Sequence, residues 1–326
     1  MKLPTIDIGP LNGNADVSVK HHIASQLDAA CKTFGAFYIV GHGIDSSATL
    51  SSMHEFFALP RDEKQRIAVA SGGSNRGYIG MGKESGSDAL EVKEAYSYGY
   101  SWDEAVAPHN QLQGSNIWPD AQLLPQMWKQ QMEAFYLKMF SVATMLTKSF
   151  SLSFDYPEDH LSDFCKGGET ISLMRLFHYY PYTAADDLFP AQQNRIGSSA
   201  HTDWGFLTLI LQEENVGGLQ LYHNGDWHDV QPVSGALVVN CGDYFSLLTG
   251  GKYISPKHRV VSEGKERTSA VFFYYPSYDA KIPPLANQDY SLFVNQKENG
   301  EAVSPDNLAE FSFGEYIAEK WLQVKR

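Results

Sequence analysis

Ser199–Leu209 reads SAHTDWGFLTL, and the rest of the chain is arranged around it. His201 and Asp203 stand two positions apart, so on a β-strand both side chains leave the same face. Phe206, Leu207, Thr208, Leu209 and Ile210 follow as a buried-strand run. A second strand-like stretch, SPKHRV, carries His258. Two imidazoles and one carboxylate on one face of an octahedron leave three positions open, the ligand set typical of non-haem Fe(II). His-x-Asp alone is a weak signal in a chain with 11 histidines, so its surroundings have to carry the argument.

Those surroundings include Arg267 and Ser269 in RTSAVFFYYP, which share one strand face. The Arg fork suits a carboxylate, and Ser adds a hydroxyl donor. A metal triad beside such a clamp predicts a small dicarboxylate co-substrate, bound to metal at one end and to Arg267 at the other.

With these residues in place, the sequence resembles the 2-oxoglutarate- and Fe(II)-dependent oxygenases of the isopenicillin N synthase-like group. The resemblance runs through LPTIDIGPL, FGAFYIVGHGI, RLFHYYP, HTDWGFLTLI, GGLQLY, GALVVNCGDYFSLLTGGKYISPKHRV and RTSAVFFYYP, in the family's order. It implies Fe(II) at His201, Asp203 and His258, with 2-oxoglutarate and O2 as co-substrates converted to succinate and CO2. It also implies that Tyr180, just before Pro181, bonds the 2-oxoglutarate tail. His178 stands where plant members carry Asn, and can still donate one hydrogen bond there. Tyr78, Trp204 and Phe273 match positions that line the substrate pocket. The implied outcome is hydroxylation, desaturation or oxidative cyclisation of a small metabolite, as in secondary metabolism.

Composition narrows the partners. A formal charge of −13 argues against nucleic acid or an anionic membrane surface. Three widely spaced cysteines form neither a disulfide framework nor a zinc pattern, which fits a reducing cytoplasm. No apolar run is long enough for a membrane span or a signal segment. Oligomeric state is not readable from the residues.

Along the chain, Leu3–Ile8 alternates as a strand, and Ile23, Leu27, Cys31 and Phe34 recur at helical spacing until Gly35. Ala36–Val40 reads as a strand, Asp45 as the cap of a second helix, and PRDEKQRI as a short helix with a solvated charged face. Ser71–Ser87 is Gly-rich and polar, and its Arg76 and Lys83 predict attraction of a carboxylate-bearing substrate at the site's mouth. Lys93–Tyr100 reads as a strand at a sheet edge, and a long amphipathic helix follows Pro119. From Thr170 the pattern turns to short period-two runs punctuated by Gly and Asn turns. Helices first and strands second predict a mainly β fold with supporting helices, a double-stranded β-helix (jelly-roll, cupin-like) core. One domain is expected over 1–326. Its parts are a helix-rich 1–169, a jelly-roll core at 170–280 holding the metal, and a 281–326 segment with a closing helix near Phe313–Val324.

Three other readings compete. A 2-oxoglutarate-independent oxidase of the same fold would keep the triad and the clamp. A non-catalytic small-molecule sensor would have no reason to keep three iron ligands. A cupin-like isomerase with another metal would use the clamp for substrate and need no O2.

Overall fold

The computed structural model describes residues 1–70, 75–186, 188–189, 194–262, 264–285 and 311–322. The chain begins with β1 (Thr5–Asp7), α1 (Val17–Thr33), β2 (Ala36–Val40), α2 (Ser46–Phe57) and α3 (Arg61–Arg66). It continues through β3 (Gly77–Ile79), β4 (Leu90–Glu91), β5 (Lys93–Gly99), α4 (Trp128–Ser153) and α5 (His160–Asp163). Helix α1 buries Ile23, Leu27 and Cys31 along one stripe. Gly35 ends it at φ +69, where an added Cβ would sit 2.1 Å from the Ile254 carbonyl oxygen, so only glycine fits. Asp45 caps α2 by accepting from the Ala48 amide at 2.9 Å. Helix α4 starts later than the apolar spacing after Pro119 predicts, leaving Leu124 outside it. Pro125 explains the delay, since a residue before proline is disfavoured in the helical region.

The second half supplies β6 (Leu173–Tyr179), β7 (Arg195–Ile196), β8 (Ser198–His201), β9 (Leu207–Gln212), β10 (Leu219–His223) and β11 (Asp226–Asp229). Then come β12 (Leu237–Cys241), α6 (Asp243–Leu248), β13 (His258–Val260), β14 (Arg267–Tyr274) and α7 (Phe313–Leu322). Strands β6 and β8 to β14 form two antiparallel sheets, in the orders β12-β9-β14-β6 and β11-β10-β13-β8. This is the expected jelly roll. Strands β1 and β2 extend the larger sheet beyond β12, and β5 and β3 extend it beyond β6. Asn224 and Gly225, both at positive φ, make the tight turn between β10 and β11.

Register fixes which residues face the interior between the sheets. Arg267 pairs with Tyr179, Ser269 with Phe177 and Val271 with Arg175, while Tyr179 and Phe177 pair with Lys93 and Ala95. Paired residues share a face. This face is the inner one, because Phe177 and Tyr179 pack with Leu219, Leu221 and Val260 of the smaller sheet. Glu94, Tyr96 and His178 face the other way, toward the helices.

Two expectations change here. Strand β5 lies between β3 and β6 and is buried along its length, so Lys93–Tyr100 is not a sheet edge. In PRDEKQRI the charged face is not wholly solvated. Lys64 is buried, donating to the Phe57 carbonyl and to Glu94.

Glu94 anchors this outer face. Burial alone would raise its carboxyl, but His178, Lys64, Tyr180 and Tyr78 outweigh it and hold the group at about 2, against an ordinary 4.5. Its stabilisation is therefore complete above 4.5 and is lost as pH falls toward 2. Glu94→Gln should cost about 3–5 kcal/mol at neutral pH, because Lys64 is left buried without its counter-charge. Thermal melts between pH 6 and 2 should fall less steeply for this variant than for the parent. Parallel slopes would refute the linkage.

Candidate metal and co-substrate site

Strand β8 ends at His201, and Asp203 lies just beyond it instead of on the strand. The chain turns there: the Asp203 carbonyl accepts from the Asp243 amide at 2.7 Å, and Gly242 is pressed against Gly205. Strand β13 begins at His258, whose Cα is paired with that of His201. The two imidazoles lie 4.3 Å apart by ring centroid. Asp203 Oδ1 is 3.9 Å from His201 Nε2 and 3.7 Å from His258 Nε2. One donor atom from each of the three falls within 4.8 Å of the others, the spread a single metal ion requires.

Hydrogen bonds aim these atoms. His201 Nδ1 lies 2.7 Å from the Ser199 carbonyl, and His258 Nδ1 lies 3.0 Å from the Pro256 carbonyl. A carbonyl accepts only, so each Nδ1 carries the proton and each Nε2 keeps its lone pair for a metal. Desolvation within the site, and then the nearby His258, push the His201 pKa down from its ordinary value, which favours the neutral ring. Asn240 Nδ2 donates to Asp203 Oδ2 at 3.4 Å, steadying the carboxylate. Asp243 does not join the ligands. It accepts from Thr202 and Ser255, a structural role at the start of α6.

Arg267 is a buried cation whose Nη1 and Nη2 donate to Ser269 Oγ at 3.3 Å and Gln212 Oε1 at 3.1 Å. Among the described residues its Nε has no hydrogen-bond partner, and no carboxylate forms an ion pair with it. Burial pushes its pKa down. A buried guanidinium lacking an anion is costly, so the donor set fits an incoming carboxylate. Tyr179 lies beneath the guanidinium at 5.1 Å.

The remaining site residues divide. Trp204 and Phe273 line a cavity of about 320 Å³ together with His201 and Asp203. Tyr78, Lys83 and Tyr180 line a separate cavity of about 420 Å³ around Glu94. The Tyr180 and Tyr78 hydroxyls each donate to Glu94 at 2.5 Å, and His178 Nδ1 contacts the same carboxylate. Strand register explains the separation: Tyr179, not Tyr180 or His178, shares the face of Arg267. Arg76 is not a mouth cation. It is buried and donates to the carbonyls of Tyr100, Gly114 and Thr170 and to Asn116. Residues 71–74 of the Gly-rich stretch lie outside the described residues.

Sequence reading missed the inward-facing Lys93 and Arg175, which line the triad's cavity with Glu84, Glu91 and Trp321. Counting by twos from Arg267 across paired strands would have found the first two. Trp321, on α7, meets Trp204 edge-on at 5.4 Å.

Metal titration of the protein by calorimetry, with Mn(II) under nitrogen, should give one site. That site should be lost in His201→Ala, Asp203→Ala and His258→Ala, while Asn240→Ala weakens it by roughly 10–100-fold. Full affinity in any of the three ligand variants would remove that residue from the set.

Comparison with known proteins agrees with this geometry. Residues 3–121 match the model described as non-haem dioxygenase in morphine synthesis N-terminal, and residues 171–276 match the 2OG-Fe(II) oxygenase superfamily. The 2-oxoglutarate-dependent dioxygenase citB of Monascus ruber is 32% identical over 294 residues, covering 87% of each chain. A homoarginine-6-hydroxylase of Arabidopsis thaliana is 30% identical, covering 87% of this chain and 80% of its own. A full-length Neurospora crassa protein, solved in complex with alpha-KG, superposes with a TM-score of 0.78 at 22% identity, covering 98% of this chain and 96% of its own. The chain belongs to the 2-oxoglutarate–Fe(II) oxygenase superfamily and is a dioxygenase that oxidises a small organic molecule with Fe(II), 2-oxoglutarate and O2.

Proposed function

We propose that His201, Asp203 and His258 hold the iron, and that Arg267, Ser269 and Tyr179 hold the far carboxylate of 2-oxoglutarate. The observation that carries this reading is the buried Arg267, with an unpartnered Nε, on the sheet face that looks into the barrel. When bound, the iron supplies O2 activation coupled to decarboxylation of 2-oxoglutarate to succinate and CO2. The chain's own residues bind and orient. The two Nδ1–H groups lock the imidazoles, Asn240 steadies Asp203, and the Arg267 fork sets the co-substrate's direction. Trp204 and Trp321 line the cavity with apolar surface.

The primary substrate occupies the cavity of about 320 Å³, room for a metabolite and not for a macromolecule. We read it as bearing a carboxylate, now on the strength of Arg175 and Lys93 in place of Arg76 and Lys83. The chain acts as one domain, because strands from both halves complete the larger sheet. Three buried free thiols support a reducing cytoplasm.

Kinetics of succinate release should separate the two tyrosines. Arg267→Gln should raise the 2-oxoglutarate KM by at least ~30-fold, the lower end of the roughly 2–5 kcal/mol lost with a buried charge-assisted bond. Tyr179→Phe should raise it modestly. Tyr180→Phe should leave it alone and lower thermal stability instead. An increase in KM confined to Tyr180→Phe would return the tail contact to Tyr180.

A further inference from the structure

The two histidines of the triad are not held alike. His258 opens β13, which β10 flanks on one side and β8 on the other, and its side chain is buried. His201 ends β8, the outermost strand of that sheet, and its side chain is exposed. Ser198 pairs with Val260 and His201 with His258, so Ser199 and Ala200 together oppose Arg259 alone. Such a bulge disrupts the ladder locally, and an edge strand has no second neighbour to make up for it.

Glu91 supplies the missing support. The Ser199 amide donates to Glu91 Oε1 at 2.8 Å, and the Ser199 carbonyl is the acceptor that fixes His201 Nδ1 at 2.7 Å. One residue thus carries both the contact to Glu91 and the contact that aims the metal ligand. Glu91 is itself held firmly. It is buried, accepts from the Gly86 amide at 3.2 Å, and places Oε2 2.6 Å from Lys93 Nζ. Burial raises its carboxyl, but Lys93 and the Ser199 amide outweigh burial and keep the group below its ordinary value. Strand β4, which carries Glu91, is paired with β7, the strand just before β8. Lys93 also donates to Ser198 Oγ at 3.2 Å, and the Ser87 and Ser199 hydroxyls lie 2.7 Å apart.

A hydrogen bond to an ionised acceptor is shorter and stronger than a neutral one. Here it closes the side of β8 that β13 does not cover. Without it Ser199 can shift along the bulge, and the His201 ring shifts with the carbonyl that holds it. His258 has no such dependence. Pro256, which accepts its Nδ1–H, precedes Lys257, whose carbonyl takes the Tyr222 amide of β10 at 2.8 Å.

We infer that Glu91 is a positioning residue for the iron, setting the aim of His201, and not of His258, through the backbone of Ser199. The inference rests on the reading of His201 as an iron ligand.

The test is proton NMR of the protein loaded with Co(II) under nitrogen. The Nδ1–H of a metal-bound imidazole gives a far-shifted signal that disappears in D2O, so the parent should show two. The one with an Overhauser contact to Ser199 belongs to His201. In Glu91→Ala that signal should move, or broaden through faster exchange, while the His258 signal holds. Mn(II) affinity should fall by roughly tenfold in the same variant. Glu91→Asp, a methylene short of Ser199, should show the same one-sided change and serves if the alanine variant does not fold. Glu91→Gln combined with Lys93→Met keeps an acceptor for the Ser199 amide and leaves no cation buried alone. Both signals and most of the affinity should return there. A merely structural role would lower thermal stability and move both signals together or neither. Either pattern overturns the inference, as does a double variant that binds Mn(II) no better than Glu91→Ala. A parent with no Co(II)-shifted imidazole signals would overturn the ligand set, and this inference with it.

Discussion

The antiparallel pairing of His201 with His258 across two short strands is the constraint on which the site depends. It brings two imidazoles to 4.3 Å, a spacing that two protonated rings would resist. The backbone carbonyls of Ser199 and Pro256 accept hydrogen bonds from the two Nδ1–H groups, which fixes neutral tautomers whose Nε2 lone pairs converge. Asp203 then supplies the negative charge from a turn held by the Asp243 amide, outside the strand ladder. The pairing is a product of the smaller sheet, and the smaller sheet holds its place only because the larger one packs against it through Phe177, Tyr179 and Ile210. Iron chemistry here is a consequence of sheet register.

Buried charge is the second theme of an acidic protein. Lys64 meets Glu94, Lys93 meets Glu91 and Arg175 meets Glu84. Arg76 is satisfied by carbonyls. Arg267 stands apart, buried like the others but with a neutral hydroxyl and a neutral amide as its side-chain acceptors. Keeping a guanidinium in that state is costly, and a carboxylate brought to it would offset the cost.

Much of this was legible in the sequence. Arg267 and Ser269 announce themselves by strand alternation. Asp203, by contrast, sits in the turn after β8 and His258 on a separate strand, so strand alternation accounts, within the triad, for the place of His201 alone. Strand-rich residues after Thr170 gave away the jelly roll through their period of two. What failed did so for identifiable reasons. Tyr180 and Tyr179 are adjacent, and a slip of one residue moves a side chain to the opposite face, so only the pairing with β14 decides between them. Arg76 looked like a mobile cation because its acceptors are carbonyls from Tyr100, Gly114 and Thr170, distant in sequence and featureless as motifs. Arg175 and Glu84 lie 91 positions apart and form a pair only after folding.

The chain couples O2 consumption to 2-oxoglutarate through one iron site. Mass analysis of succinate formed under 18O2 tests it most directly. One labelled oxygen atom per succinate is expected, with one O2 taken up per 2-oxoglutarate consumed. Succinate free of label, or O2 uptake that proceeds equally without 2-oxoglutarate, would contradict it.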